Sequence, residues 1–261
     1  MTTAEATLVV LPPVANDPET IALLELGRLG LPADRVVVHR YPGHGGRPRQ
    51  PGFRFADVAE ELVREIDGPI DVVGLAIGAY AVAELLLRHP DRIRSALIAA
   101  SPFADIGPEQ RARDRARADA AAPGMTAVVG ETLARWFTPG AVERDAQGVR
   151  IARERLLAMD PAVWSDVWIA ISERSTIGPE QAASVTQPVS IVVPRHDAAG
   201  GAPGLERLHA HLPVSRLVYV DGPHMVNLER PRNVLAAIGS HLEWVAAGGA
   251  RIEAPITLTG E

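Results

Sequence analysis

The chain reads as an α/β protein: a mostly parallel central sheet flanked by helices, with a helical insertion. Three observations predict this. Short apolar runs rich in β-branched residues recur along the chain, and stretches with apolar residues at helical spacing separate them. Between Pro108 and about Glu180 the strand-like runs stop and the pattern becomes purely helical.

In chain order, strands are expected at Leu8–Leu11, Val36–Arg40, Ile70–Val73, Ala96–Ala100, Val189–Val193 and Leu217–Val220. Phe55–Ile66 and Ala79–His89 carry apolar residues at helical spacing, and His89-Pro90 ends the second, because the residue before a proline is pushed out of the helical region. The insertion holds four helical patterns, at 111–122, Thr126–Phe137, Val149–Met159 and Pro161–Ser172. The Arg/Asp run 111–119 within it reads as a solvated helix face. Asn233–Ala247 is the closing helix, and beyond it Ile252, Ile256 and Leu258 leave the tail open between disorder and docking on a neighbouring surface.

At 261 residues the chain is long enough for one full core with an insertion. Its net charge of −6 argues against nucleic acid as a partner, because phosphate-backbone binding needs a concentrated basic surface. With no cysteine, disulfides, thiolate metal sites and a cysteine nucleophile are all excluded. The first residues show no cationic segment followed by an apolar run, and no stretch reaches the roughly 18 apolar residues of a membrane span. The expectation is a soluble, cytoplasmic protein with a small-molecule substrate and no membrane partner; self-association is left open.

The chemistry centres on Asp71-Val72-Val73-Gly74-Leu75-Ala76-Ile77-Gly78-Ala79-Tyr80, a buried strand entering a helix through a turn with glycine two residues before and two after its centre. Such a turn strains its central residue and needs very small neighbours at those two positions. In an active hydrolase the central residue is serine; here it is Ala76. Downstream, one buried strand leads into Pro194-Arg195-His196-Asp197 and the next into Asp221-Gly222-Pro223-His224. A carboxylate past one strand and a histidine past the next can meet at the sheet's carboxyl edge, where open α/β sheets bind ligands. The order elbow, acid, histidine is that of a hydrolytic triad with its nucleophile missing. His44, in Pro42-Gly43-His44-Gly45-Gly46, is expected to organise the loop after the second strand. Trp136, Trp164 and Trp168 in the insertion are candidate substrate contacts, although large aromatics more often serve packing.

Four stretches together resemble the α/β-hydrolase fold family, and within it the 3-oxoadipate enol-lactonase group. They are Tyr41-Pro42-Gly43-His44-Gly45; the elbow with His89-Pro90-Asp91-Arg92-Ile93; Leu133-Ala134-Arg135-Trp136-Phe137-Thr138-Pro139; and His224 with Asn227-Leu228-Glu229-Arg230. The resemblance implies a core of residues 1–107 and 183–247, a helical cap at 108–182, and a tail at 248–261. It also implies cofactor-free chemistry on a small ester or lactone, with Asp197 and His224 as triad members. Asp105 is the alternative acid, since it follows the strand from which some α/β-hydrolases supply it.

The chain departs from the family pattern twice. The Ala76 methyl cannot attack a carbonyl, so no acyl-enzyme can form. After the first strand stands Leu11-Pro12-Pro13-Val14-Ala15, and because proline has no amide proton, only Val14 or Ala15 can donate to an oxyanion from here, beside the Ile77 amide. Intact Asp197 and His224 suit an inactivated variant of a serine hydrolase. The altered loop suits a natural non-hydrolytic enzyme of lyase or isomerase type using His224 as general base, or a small-molecule-binding protein.

Overall fold

In the computed structural model, which describes residues 5–101, 107–175, 177–199 and 201–259, the expected alternation of strands and helices is realised. The elements run β1 (Thr7–Leu11), α1 (Pro18–Ile21), β2 (Val36–Val38), α2 (Phe55–Glu65), β3 (Ile70–Leu75), α3 (Gly78–Arg88) and β4 (Ile93–Ala99). Six helices follow before the next strand: α4 (Pro108–Ala120), α5 (Thr126–Trp136), α6 (Pro139–Glu143), α7 (Gln147–Leu157), α8 (Pro161–Ser172) and α9 (Pro179–Ser184). The chain then completes β5 (Val189–His196), α10 (Ala202–His211), β6 (Ser215–Pro223), α11 (Val226–Glu229), α12 (Pro231–Ala246) and β7 (Ile256–Leu258).

The seven strands form one sheet in the order β2-β1-β3-β4-β5-β6-β7, and every pair is parallel. Strand side chains alternate between the two faces, and both faces are covered, which is why the central stretches of these strands are apolar, with buried polar residues gathered at their amino ends. Leu8, Val10, Val73, Leu75, Leu97 and Val218 pack on one face with Ile21, Val234 and Ile238. Val9, Leu11, Val72, Ile98 and Ile191 pack on the other with Phe55, Val58 and Leu85 of α2 and α3.

The tail docks. Ile256–Leu258 pairs with Val218–Val220 as the edge strand β7, after the Ile252 amide donates to the Ser215 carbonyl at 3.0 Å. Five further helices are not marked by the sequence pattern, α1, α6, α9, α10 and α11, and four of them carry proline in their first turn.

The amino edge of the sheet is tied to α12 by a buried chain of hydrogen bonds with one direction. Arg216 Nε donates to Ser190 Oγ at 2.8 Å, Ser190 meets His241 Nδ1 at 2.8 Å, His241 Nε2 meets Ser95 Oγ at 3.0 Å, and Ser95 donates to Asp71 at 2.6 Å. Ser95 spends its proton on the carboxylate, so His241 carries its own on Nε2 and leaves Nδ1 bare to accept from Ser190. Burial, reinforced by Arg216 and Arg94, pushes His241 down to about 3, and burial pushes His39 down to about 4. Both imidazoles are neutral in the fold, while in the unfolded chain they take up protons near the ordinary 6.5. Unfolding therefore binds protons below that value, and stability falls as pH drops from about 6.5 towards the folded-state values, by up to about 1.4 kcal/mol per pH unit per histidine. Denaturant unfolding between pH 7 and pH 5 should show this decline, and His241→Gln should flatten it by close to one proton even where it lowers stability overall.

Candidate active site

The site begins with a close approach. At Gly78 an added Cβ would overlap the Leu11 carbonyl of β1, and at Gly74 it would lie 2.7 Å from the Ala79 amide nitrogen. α3 can start this close to the sheet only with glycine at both positions, and the turn between them holds Ala76 at φ 49, a left-handed conformation that costs an ordinary residue energy. The Ala76 amide donates to the Ala99 carbonyl at 2.9 Å, which pins the elbow to β4.

The acid and the base arrive from the ends of β5 and β6. Asp197 follows β5, His224 follows β6, and His224 Nδ1 lies 3.1 Å from Asp197 Oδ2. The other carboxylate oxygen accepts the Ala199 amide at 2.8 Å. A carboxylate can only accept, so Nδ1 carries the proton and Nε2 is left as the free base. The Asp197 side chain is 1 % exposed, so water does not compete for this bond. Asp105 lies outside the described residues.

Ala76 and His224 line the same cavity, about 320 Å³, between the carboxyl edge of the sheet and the inserted helices. Val14 and Ile77 line it too, and neither amide is taken by a backbone carbonyl among the described residues. Trp136 and Trp168 form part of its wall. Trp164 does not: it packs behind Trp168, with ring centroids 5.7 Å apart, and donates Nε1 to the Arg117 carbonyl at 2.9 Å. His44 is buried away from this cavity and meets the Pro42 carbonyl through Nδ1 at 3.1 Å, a bond inside its own loop.

The inserted helices are clipped to the loop that carries His224. The Met225 amide donates to the Trp136 carbonyl at 2.9 Å, and Thr138 donates to the Glu229 carboxylate through its amide at 3.0 Å and its hydroxyl at 2.7 Å.

The far wall of the cavity was not foreseen. Gln110, Asp114 and Arg117 of α4, Arg135 of α5, Arg174 and Tyr80 all line it. The run 111–119 is thus not simply a solvated face: Asp114 is buried, paired with Arg174 at 2.8 Å and with Arg117 at 3.3 Å. Arg135 has no carboxylate in ion-pair contact among the described residues. Burial, with Arg117 nearby, holds its guanidinium below the ordinary range. Both guanidinium groups sit on the Trp168 ring, Arg117 at 5.0 Å and Arg135 at 5.5 Å from its centroid. The buried Arg174 Nε and Trp168 Nε1 have no acceptor among the described residues. The inward spacing of 114, 117, 118 and 121 was the one available signal, and the density of charge in that run hides it. Among the described residues no group of three or more acidic or histidine side chains is placed to hold a metal ion, and no helix is long and apolar enough to cross a membrane.

Residues 19–238 match the model of the alpha/beta hydrolase family. The chain belongs to that family. A pimeloyl-[acyl-carrier protein] methyl ester esterase of Chromobacterium violaceum is 32% identical over 137 residues, 51% of this chain and 52% of that protein. The chain therefore matches about half the length of this relative, and less of several others of the same name. 3-oxoadipate enol-lactonase 2 of Acinetobacter baylyi is 22% identical over 202 residues, 76% of this chain and 74% of that one. Among solved structures, an esterase from Thermogutta terrifontis superposes with TM-score 0.81 at 19% identity over 94% of this chain and 92% of its own. The enol-lactonase from Burkholderia xenovorans LB400 does so with TM-score 0.79 at 21% identity over 93% and 94%. These two share the fold, and the resemblance to the enol-lactonase group extends to sequence through the Acinetobacter relative.

The elbow makes a direct demand on stability. Gly78→Ala should lower the free energy of unfolding by about 1–3 kcal/mol or more, because the methyl meets backbone that cannot step aside. Gly27→Ala, where an added Cβ meets nothing within 4 Å, should stay within about 1 kcal/mol of the parent. Chemical denaturation of the two variants side by side makes the comparison.

Proposed function

We propose that this chain handles a small ester or lactone bearing an anionic group, and that it is an inactivated form of a serine hydrolase with Ala76 at the nucleophile position. One observation carries the reading: the imidazole oriented by Asp197 shares a cavity with Ala76, on the strained turn where a hydrolase holds its nucleophile. With a hydroxyl at that position, His224 Nε2 would take its proton as the oxygen attacks the carbonyl, and Asp197 would hold the tautomer and stabilise the imidazolium. The Ile77 and Val14 amides would meet the oxyanion, and His224 would return the proton to the leaving oxygen. Water, activated by the same base, would then release the acyl group. This chemistry requires no cofactor.

The arginine-rich wall supports the choice of substrate. Three guanidinium groups line the cavity against one carboxylate, Asp114, and among the described residues Arg135 has no ion-pair partner. Buried donors and cations are normally satisfied, so a ligand carboxylate is the group that would complete the wall. The methyl ester esterase and enol-lactonase names among the relatives point to the same class of reaction.

Ala76→Ser should create activity on small esters and lactones well above the parent, with a burst of alcohol ahead of slower acyl-enzyme breakdown. The deficit from a poor oxyanion loop is bounded, since one missing donor costs about 10²–10³ in rate. In that background Arg135→Gln should raise KM for carboxylate-bearing esters about 10-fold or more and leave neutral esters within about 3-fold, the loss expected when a charged hydrogen bond is removed. If Ala76→Ser stays folded and inert on esters, thioesters and lactones, the reading falls. A natural lyase or isomerase based on His224, or a binding protein, then takes its place, favoured by the amide-poor Pro12-Pro13 loop.

A further inference from the structure

We infer that Asn227, acting through Asn16, is a positioning residue for the oxyanion-binding loop, an inference that rests on the hydrolase reading above. Two prolines stand directly before Val14, so the loop after β1 offers few amide protons by which it could be hydrogen-bonded in place. Its backbone closes through the Asn16 amide on the Pro13 carbonyl at 3.3 Å, and Ala15 is left-handed at φ 58. Side chains supply the rest. Asn16 Nδ2 donates to the Val14 carbonyl at 3.1 Å, and Asn227 Nδ2 donates to Asn16 Oδ1 at 3.0 Å.

The orientation of this relay follows from its ends. The Val14 carbonyl can only accept, so Asn16 must turn its NH2 towards it and its oxygen towards Asn227, which in turn presents its own NH2. Both asparagines are 2 % exposed, so water cannot replace either bond and losing one leaves buried groups unpaired. Asn227 lies on α11, three residues beyond His224 and two beyond Met225, whose amide donates to the Trp136 carbonyl. The relay therefore references the Val14–Ala15 peptide to the helix that directly follows the turn carrying the base. The amide of Val14 and the imidazole of His224, which must serve one carbonyl carbon from two sides, are set against each other through a single pair of side chains. Catalytic placement is sensitive to displacements of about 1 Å, so a loop held this way is where the relay acts.

The test has two arms. In the chain as it stands, hydrogen exchange measured by mass spectrometry should show Asn227→Leu speeding exchange in the 12–17 segment while the elbow, 70–80, keeps its parent rate; unchanged exchange at 12–17 overturns the inference. In the Ala76→Ser background, Asn227→Leu and Asn16→Leu should each lower kcat on a neutral ester about 10- to 100-fold with KM within about 3-fold, the pattern of a lost transition-state interaction. A rise in KM with kcat unchanged, or full activity despite faster exchange, also overturns it. If Ala76→Ser is itself inert, the hydrolase reading fails and the positioning role fails with it, whereas an active Ala76→Ser protein that is indifferent to both asparagines removes the positioning role alone.

Discussion

The approach of α3 to the sheet governs the rest of this molecule. With glycine at 74 and 78 the helix starts against the Leu11 carbonyl, and the chain between has only enough length for a turn that puts one residue at positive φ. Because β3 is a central strand, flanked by β1 and β4, that residue stands at the middle of the carboxyl edge. The ends of β5 and β6 lie further along the same edge, and there Asp197 and His224 emerge. The bond between them depends on an irregularity in that pairing: Pro194 partners Val220 but His196 partners Pro223, and the extra residue on β6 sets Asp197 beside His224. The elbow thus keeps its full geometry although its central side chain is a methyl group that has no use for it.

Charge shapes the other wall. A cavity with two tryptophans would be expected to take a mainly apolar ligand, and the cation count changes that expectation. Arg174 is neutralised by Asp114, and Arg117 shares the same carboxylate. Among the described residues, Arg135 has the face of Trp168 and the more distant field of acids such as Glu131, Asp114 and Asp197, with no carboxylate in ion-pair contact. Removing a guanidinium from water without a close anion is costly, and cation–π contact returns only part of that cost. On the function proposed above, the two sides would divide the work: the sheet edge would supply chemistry, and the inserted helices would select charge.

Much of this is legible in the sequence, for definite reasons. A strand buried on both faces is mostly apolar, so the runs at 70–73, 189–193 and 217–220 stand out, and all lie within observed strands. The elbow is legible because its glycines answer a steric demand, and the order of Asp197 and His224 because each follows a strand. What escapes is whatever depends on which way a side chain turns. Trp164 and Trp168 sit one helical turn apart, yet one faces the cavity and the other supports it. Asp114 and Arg117 are embedded in a run that looks solvated, and only tertiary packing draws them inward. β7 is three residues in a polar tail, stabilised by the exposed edge of β6 and not by its own pattern. The Asn16–Asn227 pair joins residues too far apart in the chain for any local signal.

The central claim is that position 76 is the nucleophile position of a serviceable site, and covalent labelling measures it most directly. Ala76→Ser, treated with a small alkyl fluorophosphonate, should gain one adduct on the peptide containing residue 76, because a hydroxyl there would share its cavity with His224 and with Val14 and Ile77, whose amides are not taken by a backbone carbonyl among the described residues. The unaltered chain, and the Ala76→Ser protein that also carries His224→Ala, should remain unlabelled. A folded Ala76→Ser protein that takes no adduct, or one labelled equally well without His224, would contradict the account.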